Sequence, residues 1–345
     1  MPVDARSLSA PPCAIEPRAS FSPALHPESP EDRGHAEPPI RPASTFMSNA
    51  AKHEAGFLFL CAGFTLAAWR PLAATLALAL GDDGYTYILL IVPLSAALIL
   101  RAWLPLRAAA AFQLRAGSAL LAVAAAISGV ALLRPPALPP DLRLSIAVFA
   151  LVLSWIGAFV LCFGLSVARS LLFPLCFLCG LVPLPKSSLD AVVAILQESS
   201  AWSAHLLFAL FGVPVAQDGV RLAIPGLNIF VAHECSSIRS SSMLLITTMV
   251  LAQLLLRSPW RKALLIGLAV PLSVAKNGLR IFTIAMLGTR VDVGYLTGKL
   301  HHQGGIVFFA IILFAVFALL FILRRGEAWP LQSDLNPDHT RAAGD

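Results

Sequence analysis

Apolar runs long enough to cross a lipid bilayer dictate most of what this chain can become. A perpendicular helical crossing needs roughly 20 apolar residues, and such runs recur along the sequence. Phe57–Leu80 is the first, and Arg70-Pro71 inside it predicts a kink. Tyr87–Leu104, the shorter Ala119–Leu133 and Leu144–Phe163 follow. Ser170–Val182 is short enough to borrow from Leu165–Arg169, and it stops at Pro183-Leu184-Pro185. Met243–Leu256 (starting near Ser236), Ala263–Leu287 and Ile306–Leu323 complete a set of eight. Charged residues make up 13% of the chain, about half of what soluble domains carry. Mean hydropathy is +0.78. The expected class is an all-α polytopic membrane protein with about eight transmembrane helices.

The ends differ from the middle. Residues 1–52 are rich in Pro, Ser, Glu and Arg and lack apolar periodicity, which predicts a disordered N-terminal tail. They show no signal-peptide pattern, and Met47 is a candidate translation start. Residues 53–325 form the expected integral membrane domain, and 326–345 a cytoplasmic C-terminal tail. The six cysteines lie mostly inside apolar runs, so no disulfide framework is readable. Cys176-Phe-Leu-Cys179 has C-x-x-C spacing but no second ligand pair, and reads as packing. No cofactor, metal or nucleic acid is expected.

Between Lys186 and Glu234 the pattern changes. Leu189–Phe211 carries Asp190, Gln197, Glu198, Trp202 and His205 among its apolar residues. That is too polar for a lipid-facing span and suits a helix at the interface or packed on protein. Gly212–Ala232 alternates turn formers with β-branched residues, predicting one or two short extramembrane hairpins. With eight spans and 189–211 not crossing, the loops holding Arg101, Arg107, Arg115, Arg169, Arg257, Arg261, Lys262, Arg324 and Arg325 share one side. The positive-inside rule makes that side cytoplasmic. The hairpin insert then lies outside the plasma (inner) membrane.

This topology gathers three reactive side chains on the outer face. Cys235 leads into a span from outside, Arg280 lies near the outer end of the next, and His301 starts the last. An arginine within an apolar span costs on the order of 2.5–3.5 kcal/mol on insertion scales, so a partner or an anionic task is expected. A free thiol ionises near pH 8.5, and a neighbouring cation raises its thiolate fraction. Cys235 is therefore the candidate nucleophile, Arg280 the oxyanion donor and His301 the general acid/base. Arg239 is a second cation candidate. His302 takes a supporting place, because successive helical residues point about 100° apart and Gly305 stands four positions after His301.

The runs Val231-Ala-x-x-Cys235-Ser-x-Ile238-Arg239-Ser240, Asn277-x-x-Arg280-Ile281 and Leu300-His301-x-x-x-Gly305 resemble the three signatures of the exosortase/archaeosortase family. Similarity extends upstream to Pro183-Leu184-Pro185 and to Phe211-Gly-Val-Pro214 with Gly219, covering roughly residues 85–323. Ser237 stands where the family usually has glycine. The resemblance adds Asn277 as a supporting residue. It implies a membrane cysteine transpeptidase acting on exported proteins whose C-terminus carries a short motif, an apolar helix and a basic cluster. A transporter or channel and another membrane acyltransferase are the competing classes. The charges cluster at one face instead of lining a crossing, and no His-Glu-x-x-His or Gly-x-Ser-x-Gly motif is present.

Overall fold

The computed structural model describes residues 43–133, 138–231, 238–292, Gly294 and 299–326; for 43–50, 132–133 and 299–304 it describes the backbone alone. The described chain is mostly helical. It runs α1 (Ala43–Ala67), α2 (Trp69–Gly81), α3 (Ile88–Leu106), α4 (Leu114–Leu133), α5 (Pro140–Ser170), α6 (Leu172–Phe177) and α7 (Lys186–Leu210). Three short strands follow, β1 (Ala216–Asp218), β2 (Arg221–Ile224) and β3 (Leu227–Phe230), then α8 (Ile238–Leu255), α9 (Pro259–Arg290) and α10 (Lys299–Arg325). Six helices are long and apolar enough to cross a membrane, and up to eight if each of two bent pairs counts as one span. Side chains such as Phe59, Leu100 and Phe314 are largely exposed, as expected where lipid is the solvent.

The first expected run is broken just ahead of the predicted Arg70-Pro71, which fall in the first turn of α2. Its two helices, either side of Ala68, meet at 77°. Helix α1 also takes in residues 43–52, which composition assigned to the tail. A helix needs no apolar periodicity once an adjoining turn has nucleated it. Residues 1–42, including most of that tail, lie outside the described residues, as do 327–345.

Helix α5 organises the first half. Gly117 of α4 meets the backbone of Leu161 so closely that a Cβ there would stand 2.5 Å from its Cα, and a Cβ at Gly157 would stand 3.0 Å from the side chain of Leu121. Small residues let membrane helices approach to van der Waals contact. Phe57, Trp103, Phe159 and Phe163 then interlock edge to face beneath α5. The helix breaks at Gly164, whose φ of 85° suits a residue without Cβ. The loop before α4 repairs the break. Ala111 N–H donates to Phe163 O at 3.3 Å and Gln113 N–H to Leu161 O at 3.0 Å, while Gln113 Oε1 accepts from Leu165 N–H at 2.7 Å. Expected spans four and five therefore meet differently from the sequence reading: Leu165–Ser170 continues α5 beyond a glycine break, and α6 is a short separate piece.

Pro183-Leu184-Pro185 turns the chain through 101° between the α6 segment and α7. Its first two carbonyls are satisfied by side chains: Ser145 Oγ donates to Pro183 O at 2.6 Å and Tyr85 Oη to Leu184 O at 2.8 Å. Helix α7, the polar stretch of the sequence, packs along α9 and buries Val193, Ala201, Ala204 and Phe208. The close approach needs Gly278, since a Cβ there would collide with Ser203 and Ala204. The predicted hairpins are one antiparallel sheet in the order β1-β2-β3. Two-residue turns join the strands, with Gly219 (φ 56°) and Gly226 (φ 84°, after Pro225) supplying the positive φ. Leu222, Ile224 and Val231 bury against α7 and α9.

Cys176 and Cys179 are free thiols at exposed positions. Three residues apart on a short helical turn, they share its outer side.

Candidate functional site

Helices α8, α9 and α10 share one core of Leu244, Ala252, Leu265, Ile312, Val316 and Leu320. Short connections make α9 antiparallel to both neighbours, so the starts of α8 and α10 lie at the end of the bundle where α9 finishes. The candidate site is built there.

Polar contacts fix the register of α8 against α9. Ser273 Oγ donates to Ser241 Oγ at 2.6 Å, and Lys276 Nζ donates to Ser240 Oγ. Lys276 is only 4% exposed. Arg280 lies one helical turn beyond it on the same face, half-buried. Lys276 and Arg280 thus bring positive charge to one face near this end of α9. The sequence reading passed over Lys276. The signal was there: a lysine midway along an apolar run, one residue before Asn277.

A buried ammonium depends on its hydrogen-bond partner. Ser240→Ala should therefore lower the thermal stability of the detergent-solubilised protein by about 1–3 kcal/mol. Lys276→Met removes the charge and keeps the length, and should cost less or stabilise. A larger loss for Lys276→Met than for Ser240→Ala would show the ammonium to be a favourable structural element in its own right.

Asn277, 2% exposed, and Arg280 come together on the wall of a cavity of about 190 Å³ between α9 and β3. Ile281 and Ile284 continue that wall, and Leu227–Val231 form the opposite one. The end of β3 is well anchored. Val231 is 1% exposed, its N–H donates to Val220 O at 3.0 Å, and Gln197 Nε2 donates to its carbonyl at 2.9 Å. A second, more apolar cavity of about 390 Å³ opens between α3, α7, α8 and α9, with Ser241 and Ser273 on its wall.

The remaining predicted residues fall as follows. Arg239, in the first turn of α8, pairs with Asp83 of the α2–α3 loop at 2.9 Å, both side chains largely exposed. Its charge is thus partly balanced at the surface. Cys235, with its neighbours Ala232–Ser237, lies outside the described residues. The two flanks of that segment are fixed, one by Val231 and the other by Ile238, which packs with the α3–α7 core. His301 and His302 occupy the first turn of α10, where only the backbone is described.

The family model described as "Transmembrane exosortase (Exosortase_EpsH)" matches residues 79–318. No curated protein and no solved structure matches the chain.

Proposed function

The chain belongs to the transmembrane exosortase family, a membership that implies a membrane sorting transpeptidase, and from it we propose a thiol mechanism centred on Cys235. Its substrates are exported proteins whose C-terminal sorting signal is cleaved and whose new end is passed to an acceptor. The Cys235 thiolate attacks the scissile carbonyl, forming a thioacyl-enzyme and releasing the amine of the signal peptide. Arg280 holds the oxyanion, since its guanidinium stays charged and offers fixed donors. His301 protonates the leaving amine and then deprotonates the acceptor. Asn277 supports Arg280, while Arg239 and His302 take supporting places nearer the surface. The reaction takes place on the extracytoplasmic face of the plasma membrane. The tail assignments 1–52 and 326–345 leave residues 53–325 as the catalytic membrane domain.

The observation that carries this reading is the shared bundle of α8, α9 and α10. The start of α8 (Ile238), the end of α9, which carries Arg280, and the start of α10 (Lys299) lie at one end of that core, and in sequence Cys235 stands three residues before α8 and His301 two residues into α10. The experiment compares exported proteins in cells with and without this chain. Without it, a subset of envelope proteins is expected to retain an apolar C-terminal helix. Identical C-termini in both would contradict the reading.

The histidines divide by face. At matched membrane levels His301→Ala should lower processing about 10²-fold or more, the scale of general acid–base catalysis. His302→Ala should retain most activity. A dead His302 variant beside an active His301 variant reverses the assignment.

A further inference from the structure

The outer strand of the small sheet carries an inference that deepens this reading and rests on it. Strands β2 and β3 pair in the register Leu222↔Ile229 and Ile224↔Leu227. Opposed pairs in an antiparallel ladder alternate between bonded and non-bonded. The Val231–Val220 hydrogen bond sets the phase, so the main-chain groups of Leu227, Ile229 and Val231 turn toward β2. Those of Asn228 and Phe230 turn the other way. β3 is last in the sheet, and among the described residues no group pairs with the main chain of Asn228 or Phe230 on that side.

Proteins commonly guard such an edge with charge, proline, a bulge or a covering element. Leu227-Asn-Ile-Phe230 has neither charge nor proline. What lies beside it is the 190 Å³ cavity, lined along the strand from Leu227 to Val231 and across from it by Asn277, Arg280, Ile281 and Ile284. The spare N–H and C=O groups of Asn228 and Phe230 repeat every second residue, about 6.6–6.8 Å apart. An extended peptide repeats its own groups at that interval, whereas a helix or an acyl chain has none to offer.

We propose that the free edge of β3 is the substrate cradle, taking an extended peptide as a fourth strand along Asn228–Phe230. Recognition is then largely by main chain, with side-chain selection from the apolar and cationic wall of α9. The peptide is held beside Arg280, on the strand that leads through Val231 into the Cys235 segment.

The test uses the full-length protein and two probes, iodoacetamide and an acetyl-tetra-alanyl chloromethyl ketone. The Cys235 thiolate displaces halide from each, so the labelling rate of Cys235 is the readout. In the wild type, N-methylating the ketone's amides one at a time should slow labelling about 5- to 10-fold wherever a strand bond is lost. Asn228→Pro removes an N–H that pairs with none of the described residues, and edge strands tolerate proline. It should slow the ketone by a similar factor and leave iodoacetamide unaffected. The two changes remove different bonds, because proline keeps the carbonyl that accepts from the peptide N–H, so N-methylation should still slow the ketone in this variant and the two losses should roughly multiply.

Equal rates for methylated and unmethylated ketones in the wild type, with iodoacetamide still labelling Cys235, overturn the cradle and leave the thiol mechanism standing. Failure of every reagent at Cys235 overturns the mechanism, and the cradle with it. Should Asn228→Pro not accumulate, the wild-type methylation series decides alone. A change in oligomeric state with Asn228→Pro, and no effect on the ketone, assigns the edge to a second copy of the chain and overturns the proposal.

Discussion

Replacing Cys235 by alanine or serine is expected to abolish processing while the protein still inserts and accumulates. The thiolate is the attacking atom, and at neutral pH a serine hydroxyl forms its alkoxide far less readily without a dedicated base. Losing a covalent nucleophile costs on the order of 10⁴- to 10⁶-fold where its partners cannot substitute. Both variants should fall to the uncatalysed background, because neither leaves a thiol at this position. Membrane levels and detergent melting temperature should stay at wild-type values, since serine exchanges one sulfur for an oxygen and alanine removes that one atom alone. Substrate C-termini read by mass spectrometry check the result, and wild-type processing in either variant would sink the nucleophile assignment.

Arg280→Lys should lose about 10²-fold in turnover, the scale on which removing one oxyanion donor acts, roughly 2.7 kcal/mol of transition-state stabilisation. The charge is kept, so the positive field at the end of α9 changes little. What is lost is the planar fork of donors, which a compact ammonium does not reproduce. Lys276 makes the comparison informative. It already supplies a lysine one turn away, so an additional point charge offers nothing new. The loss should appear in kcat rather than KM, as for an interaction made chiefly in the transition state. Near wild-type kcat for Arg280→Lys would mean the residue acts as a plain charge.

Much of this was legible from the residues. The polar content of Leu189–Phe211 suited a helix at the interface or one packed on protein, and α7 lies along α9 with Gly278 at the contact. Asp218-Gly219 and Pro225-Gly226 marked the hairpins, because two-residue turns demand positive φ. The break in α5 was not legible. A lone glycine inside an apolar run carries no local sign of whether its helix will bend. The bend at Gly164 depends on Ala111 and Gln113, about fifty residues away in sequence, which supply the missing hydrogen bonds. Lys276 was visible as a charge but not as a contact, since its pairing with Ser240 needs the register of two helices. The same holds for the free edge of β3. Sequence foretells a strand, but only the ladder's phase tells which of its main-chain groups are spare.

The most direct test of the central claim is to look for the covalent intermediate itself. Full-length protein from cells making its exported substrates is quenched in acid and digested, and the peptide bearing Cys235 is weighed. The thiol mechanism predicts an added acyl group on Cys235 that neutral hydroxylamine removes, and less of it in His301→Ala, where the leaving amine loses its proton donor. An unmodified Cys235 peptide in every sample, alongside normal substrate cleavage, would contradict it.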